Sequence, residues 1–133
     1  MLTTGHGSAV RHIDDESGLC VIESVTTAAL TSALDGLALR QRTIANNIAN
    51  VNTPGYQAQR VSFEDALAQS VRDGDGHTAA STARSLEPTR LDGNNVNLDT
   101  ETVSNIDTVL RYQFAAQAVA GADSSMRAAL RTN

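Results

Sequence analysis

Apolar residues between positions 24 and 52 recur at alternating steps of four and three residues, the spacing of a heptad repeat. This pattern predicts an amphipathic helix over about residues 24–52. A turn is expected directly after it, because Pro54 moves Thr53 out of the α region and Gly55 permits a positive φ. The predicted seam, with Gln41 as its one polar member, consists of Leu30, Leu34, Leu37, Gln41, Ile44, Ile48 and Val51.

A second apolar stripe lies near the C-terminus and predicts a helix over about residues 99–131. Asp99 is a candidate N-cap, and Glu101 follows in the positively polarised first turn. The middle of this helix, residues 115–122, is mostly Ala and Gly, so another helix can approach it closely. The stripe begins with Val103, Ile106, Leu110 and Phe114.

The remaining segments show weaker patterns. Ser62 lies three residues before Asp65, which resembles a capping box and predicts a short helix over about residues 62–72. Residues 73–98 are small, polar and rich in turn formers, so we expect a flexible, partly extended segment. Residues 1–22 show no sustained period and predict a flexible arm ahead of a single domain, residues 23–133.

The two long helices are natural partners for each other. A helix with one apolar stripe gains most of its stability by burying that stripe against another element. The sequence therefore predicts an all-α, elongated fold in which the N- and C-terminal helices pair in a coiled-coil-like way. Such a pair still exposes apolar flanks, which predicts self-association.

Composition narrows the class of protein. The 133 residues fit one domain, and an aromatic content of 3% predicts a thin core. All ten basic residues are Arg, they are dispersed, and the net charge is −5, which argues against nucleic-acid binding. No apolar run predicts a membrane span and no cleavable signal is recognisable, so the chain should remain in the cytoplasm unless it is exported by another route.

Candidate chemistry is weak throughout the chain. His6, His12 and His77 lack the spacing of a metal site, and no motif activates the Cys20 thiol. The segment LDGNNVNLDTE resembles a calcium loop, but Asn and Val stand where that loop requires Gly and Glu. No catalytic, cofactor-binding or metal-binding residues are predicted, and we expect no enzymatic activity.

The asparagine-rich end of the first helix, IANNIANVNTPGY, needs a separate explanation, because Asn is a mediocre helix former. Its side-chain amides can hydrogen-bond the backbone of the following turn or a neighbouring subunit. Both interpretations remain open at this stage: a local C-cap and a contact between subunits.

The segment ANNIANVNTPGY, residues 45–56, resembles the motif shared by flagellar rod and hook proteins. Two further segments, LDGNNVNLDTE and LRYQFAAQAV, narrow the resemblance to the rod proteins of that family. The resemblance covers about residues 28–131. It implies that the packing motif comprises Asn46, Asn47, Asn50, Thr53, Pro54, Gly55 and Tyr56.

The same resemblance implies a structural subunit of the proximal rod of the bacterial flagellar basal body, which self-assembles and transmits torque. It also implies export through the flagellar type III apparatus and a place on the periplasmic side of the inner membrane. The implied partners are FlgC and related rod proteins, the rod adaptor FliE and the MS-ring region. Two alternatives are the sister rod protein FlgC itself and a coiled-coil adaptor or chaperone of the export system.

Overall fold

Two long helices dominate the computed structural model, which describes residues 15–131 and, from Ser24 onward, their side chains. The first and last helices pack against each other, and the predicted fold class, mostly helical and elongated, is confirmed. No helix in this described part is long and apolar enough to span a membrane. The elements, in chain order, are α1 Asp15–Ala49, β1 Gln59–Ser62, α2 Glu64–Arg72, β2 Ser81–Arg84 and α3 Leu98–Arg131.

The helix boundaries differ from prediction mainly at the N-terminus. Helix α1 begins at Asp15, so the last eight residues of the segment expected to be an arm belong to the helix. Residues 1–14 of that segment lie outside the described part of the chain. Helix α2 begins at Glu64 and α3 at Leu98, each within two residues of its predicted start.

Both predicted N-caps are replaced by other residues. Ser62 is the last residue of β1, and its hydroxyl lies 3.1 Å from that of Ser81. Phe63 therefore occupies the N-cap position of α2. At α3, the side-chain oxygen of Asn97 accepts hydrogen bonds from the N–H groups of Asp99 and Thr100. An N-cap side chain accepts hydrogen bonds from N–H groups two or three residues later in the chain. Because α3 begins at Leu98, the residue in that position is Asn97 and not Asp99.

One strand of a two-stranded antiparallel sheet lies in residues 73–98, the segment predicted to be flexible and partly extended. Strands β1 and β2 pair from Gln59 opposite Arg84 to Ser62 opposite Ser81. The chain before β2 contacts α1, since the Ser32 hydroxyl donates to the Gly76 carbonyl and accepts from the Thr78 N–H, both at 3.2 Å. The extended part of the segment is therefore strand β2, and the flexibility of the segment stays a prediction.

The apolar core is small and lies where β1, the start of α2 and both long helices meet. Leu37, Val61, Phe63 and Ala115 are buried there. Phe63 is the one buried aromatic residue among those described, and its ring packs against Gly36 of α1. A core of this size agrees with the low aromatic content.

Arg40 of α1 joins the helix to β1 and α2. Its guanidinium donates to the Val61 carbonyl at 3.0 Å and to the Glu64 carboxylate at 2.8 Å, and lies 5.0 Å from the centre of the Phe63 ring. Burial by itself would raise the pKa of Glu64. The hydrogen bond from Arg40, backbone N–H donors and the Arg40 charge outweigh burial, so the pKa of Glu64 is lowered.

Replacing Gly36 by Ala should destabilise the fold, although Ala is the better helix former. A Cβ at Gly36 would lie 2.6 to 2.8 Å from three ring atoms of buried Phe63. We expect Gly36→Ala to lower the free energy of unfolding by about 1–3 kcal/mol, measured by urea denaturation. The matched control is Gly121→Ala in α3, where a Cβ meets no atom within 4 Å, and it should stabilise by about 0.5–1 kcal/mol. Equal effects of the two substitutions would contradict this packing.

The Arg40–Glu64 pair should make stability depend on pH in the acid range. Because folding lowers the pKa of Glu64, the stability that the ion pair contributes is complete above the unfolded pKa of about 4.5 and is lost as the pH falls through the lower folded pKa. Glu64→Gln should therefore lower the melting temperature at pH 7 and lower it by less near pH 3. Asp65→Asn, an exposed carboxylate in the same turn, is the control. A melting-temperature loss for Glu64→Gln that is the same at both pH values would refute the assignment.

Candidate functional site: the asparagine turn and the two faces of α3

The chain turns sharply after α1, as the sequence predicted. The Asn50 side chain donates to the Asn46 carbonyl and accepts from the Thr53 hydroxyl, which closes the end of the helix. Gly55 has a φ of 73°, and its N–H donates to the Asp92 carbonyl at 2.8 Å. We call residues 46–56 the asparagine turn.

Asn94 is fully buried and supports this turn from a distant part of the chain. Its side-chain amide donates to the carbonyls of Asn50 and Thr53, at 2.9 and 2.8 Å. Its side-chain oxygen accepts from the Val96 N–H at 2.7 Å. The two segments that carry the family resemblance, ANNIANVNTPGY and LDGNNVNLDTE, are therefore in direct contact.

Asn95 makes a parallel set of contacts one residue later. Its oxygen accepts from the Ala58 N–H at 2.7 Å, and its amide donates to the carbonyls of Ser85 and Glu87, both at 3.2 Å. The sequence indicated only a turn here. The roles of Asn94 and Asn95 were missed, because the carbonyl groups they contact are close in space but distant in sequence.

Asn47 is the most highly connected side chain of the turn, and it is fully buried. Its amide donates to the Gln59 carbonyl at 2.9 Å and to the Glu101 carboxylate at 3.2 Å. Its oxygen accepts from the Gln59 N–H and from the Tyr56 hydroxyl, at 3.0 and 3.2 Å. Asn47 thus joins α1 to the start of β1 and to α3.

Glu101 is the buried charge at this junction. While Oε2 accepts from Asn47, Oε1 lies 3.0 Å from the guanidinium of Arg60. That second contact is an ion pair without hydrogen-bond geometry, so Oε1 has a charge partner but no hydrogen-bond donor among the described residues. We call Asn47, Tyr56, Gln59, Arg60 and Glu101 the Asn47 cluster.

The other residues of the predicted packing motif remain on the surface. Asn46, Thr53, Pro54 and Gly55 are exposed, whereas Asn50 and Tyr56 are half-buried. The sequence left open two interpretations of the asparagines, a local role within the chain and a contact between subunits. The hydrogen bonds of Asn47 and Asn50 lie within the chain and belong to the local role. The exposed members, Asn46, Thr53, Pro54 and Gly55, lie at the surface beside the turn, although Thr53 and Gly55 also take part in its hydrogen bonds within the chain.

The seam of α1 and the stripe of α3 have different environments. In α1, Leu37 and Ile44 are buried and the other apolar seam residues, Leu30, Leu34 and Ile48, are half-buried; Val51, the last predicted seam residue, lies beyond the end of α1 and is also half-buried. In α3 the predicted residues Val103, Ile106, Leu110 and Phe114 are 68, 57, 61 and 75% exposed. Helix α3 instead turns Glu101, Thr108 and Ala115 inward, at steps of seven. The sequence predicted the wrong inward face, because a stripe shows which residues favour burial and does not show which surface buries them.

A cavity of about 140 Å³ opens between α1, β1 and α3. Its charged residues are already paired: Arg40 with Glu64, Arg60 with Glu101, and Asp107 with Arg111 at 2.8 Å. Within the described residues, no group of three His, Cys, Asp or Glu side chains is arranged to hold a metal ion. The polar groups of this region hold the subunit's own segments together.

Two matches to known proteins indicate the class of protein to which the chain is similar. Residues 29–57, which include the whole asparagine turn, match the family model described as flagella basal body rod protein. A region of 46 residues is 46% identical to the flagellar basal-body rod protein FlgG of Caulobacter vibrioides, covering 32% of this chain and 18% of that protein. Both matches are to the class of flagellar rod proteins.

Longer matches define the family more narrowly. The rod protein FlgB of Escherichia coli is 33% identical over 122 residues, covering 75% of this chain and 88% of that protein. FlgB of Bacillus subtilis is 30% identical over 124 residues, covering 80% and 94%. The chain belongs to the FlgB family and is a structural subunit of the flagellar basal-body rod. The alternatives, FlgC and an export adaptor, are not favoured.

Replacing Asn47 should have a much larger effect than replacing its neighbour Asn46. Asn47→Ala removes four hydrogen bonds and leaves buried Glu101 without its amide donor, so we expect a loss of about 2–4 kcal/mol in unfolding free energy. Asn46 is exposed, and Asn46→Ala should change stability by less than about 0.5 kcal/mol. Chemical denaturation of both variants measures the difference. Similar losses would mean that the Asn47 cluster does not support the fold.

Proposed function

We propose that the subunit joins its neighbours in the proximal rod through the apolar stripe of α3, defined as Val103, Ile106, Leu110 and Phe114. The supporting observation is the exposure of all four side chains, between 57 and 75%, along one face of the helix. Soluble monomers seldom expose a continuous row of large apolar groups, and such a row marks a surface that another protein covers.

The position of the stripe allows α3 to pack against α1 within the subunit and, with its opposite face, to contact a neighbouring subunit. The stripe begins within the first two turns of α3, close to the Asn47 cluster, and faces away from α1. Neighbouring subunits can therefore cover it without opening the α1–α3 pair. Met126 and Leu130 are also exposed and extend the available apolar surface toward the end of α3.

The exposed part of the asparagine turn is a second proposed contact. Its backbone is held by Asn94 and Asp92, so Thr53, Pro54 and Gly55 are presented in a fixed conformation. A preorganised turn loses less conformational entropy on association than a flexible one. We propose that these residues contact the next subunit along the rod.

The partners we propose are FlgC and related rod proteins, the rod adaptor FliE and the MS-ring region. Membership of the rod family and the similarity to part of FlgG support association with other rod proteins. We further propose that the chain leaves the cytoplasm through the flagellar type III apparatus without a cleaved signal, and functions on the periplasmic side of the inner membrane. In this position it transmits torque by shape and packing and catalyses no reaction.

The proposal can be tested in a strain that lacks the gene. Complementation with the double variant Leu110→Glu and Phe114→Glu should fail to restore swimming, and rods isolated from these cells should be absent or incomplete, because charge in a subunit interface is costly. Since both side chains are exposed, the purified variant should keep its helix content by circular dichroism.

Ala116→Glu is the matched control, since Ala116 is exposed on α3 but lies outside the stripe. It should restore swimming. Immunoblots of the secreted fraction should detect all variants at similar levels, which separates a defect in assembly from a defect in export. Full swimming with the double variant would show that the stripe is not an interface.

A further inference from the structure

Helix α3 has two faces that compete for contact with α1. The inward face carries Glu101, Thr108 and Ala115, with half-buried Ser104 between the first two. At about 100° per residue, the apolar stripe is centred roughly 150° around the helix from this face. The bulky apolar residues and the residues that pack against α1 are thus on nearly opposite sides.

Hydrophobic burial alone favours an orientation of α3 in which the apolar stripe faces α1. The stripe offers Val, Ile, Leu and Phe side chains, whereas the inward face offers a carboxylate, two hydroxyls and a methyl group. Apolar stabilisation grows with the area removed from water, so rotating α3 to bury the stripe against α1 would bury more apolar surface in the isolated chain. Another interaction must hold the helix in the observed orientation.

Glu101 is the residue on the inward face whose polar contacts depend on this orientation; Ala115 contributes one methyl group to the apolar core. It is fully buried, and it reaches Asn47 at 3.2 Å and Arg60 at 3.0 Å. Thr108, by contrast, donates to the Ser104 carbonyl of its own helix, a bond that any rotation would preserve. Rotation of α3 would carry Glu101 away and leave Asn47 short of one acceptor and Arg60 without its carboxylate.

We infer that Glu101, together with Asn47 and Arg60, sets the rotation of α3 about its own axis and keeps the apolar stripe facing outward. Buried ionic groups often contribute less stability than apolar groups of the same shape, but they can select one packing arrangement among several. Here the selected arrangement leaves the stripe uncovered within the subunit. The inference concerns the packing of the chain and stands independently of the proposed function.

Thiol accessibility of the full-length chain tests the inference. In a Cys20→Ser background, Ile106→Cys and Thr108→Cys report on opposite faces of α3, since Ile106 is exposed and Thr108 is fully buried. With Glu101 present, the thiol introduced at position 106 should react with a maleimide on the order of tenfold faster than that at position 108. Adding Glu101→Leu should reverse this order, because α3 can then rotate.

Two further variants complete the test. Glu101→Gln retains an acceptor for Asn47 and should preserve the original order of reactivity. The double variant Arg60→Met and Glu101→Leu also removes the guanidinium that would be left without its carboxylate, and it keeps the bonds of Asn47 to Gln59 and Tyr56. It should fold with the order reversed even if Glu101→Leu alone unfolds.

Circular dichroism establishes which variants are folded. A folded Glu101→Leu or double variant that keeps the original order would overturn the inference, because rotation would then be fixed by other contacts. Unfolding of both variants would also overturn it, since the cluster would then maintain the fold and would not choose between two arrangements.

Discussion

The four hydrogen bonds of Asn47 are the constraint on which the rest of the structure depends. One side chain contacts the backbone at the start of β1, the hydroxyl of Tyr56 and the carboxylate of Glu101. A buried amide is stable only when its donors and acceptor are all satisfied, so three segments must be in place together. The end of α1, the path into the sheet and the first turns of α3 are consequently fixed as one unit.

This constraint gives the subunit an unusual interior. The largest fully buried side chains among the described residues are Glu101, Asn47, Asn94 and Thr108, all of them polar. Several large apolar side chains of α3 are outside, which reverses the usual distribution. In the proposed rod assembly, hydrogen bonds and an ion pair define the shape of the single chain, and the apolar stripe is left for contacts between chains.

The sequence was informative wherever one local pattern determines the outcome. The heptad of α1, the turn at Pro54 and Gly55, and the extent of α3 all follow from periodicity and backbone chemistry over a few residues. Two of the predicted motif residues, Asn47 and Asn50, make hydrogen bonds within the chain, and the role of the motif in packing between subunits stays a prediction. The family resemblance then supplied the function, which periodicity alone does not contain.

Features that depend on distant partners were not predictable in the same way. Strand β1 has four residues and β2 is entirely exposed, so neither shows the alternation that identifies a strand. Asn94 looks like an ordinary turn residue until the carbonyls of Asn50 and Thr53 are placed beside it. The inward face of α3 was predicted incorrectly, because the contact of Glu101 with Asn47 spans 54 positions along the chain.

The separation in sequence between these partners also determines the order in which the chain can fold. Asn94 and Glu101 follow their contacts in the asparagine turn by about 40 to 50 residues. During synthesis from the N-terminus, α1 and its turn therefore emerge long before the groups that fix them. Contacts of this range carry a loop-closure cost and form slowly. The N-terminal two thirds of each new molecule must pass through an interval in which the turn has only its local hydrogen bonds, and the contacts of Asn94 and Glu101 form only when the last third arrives.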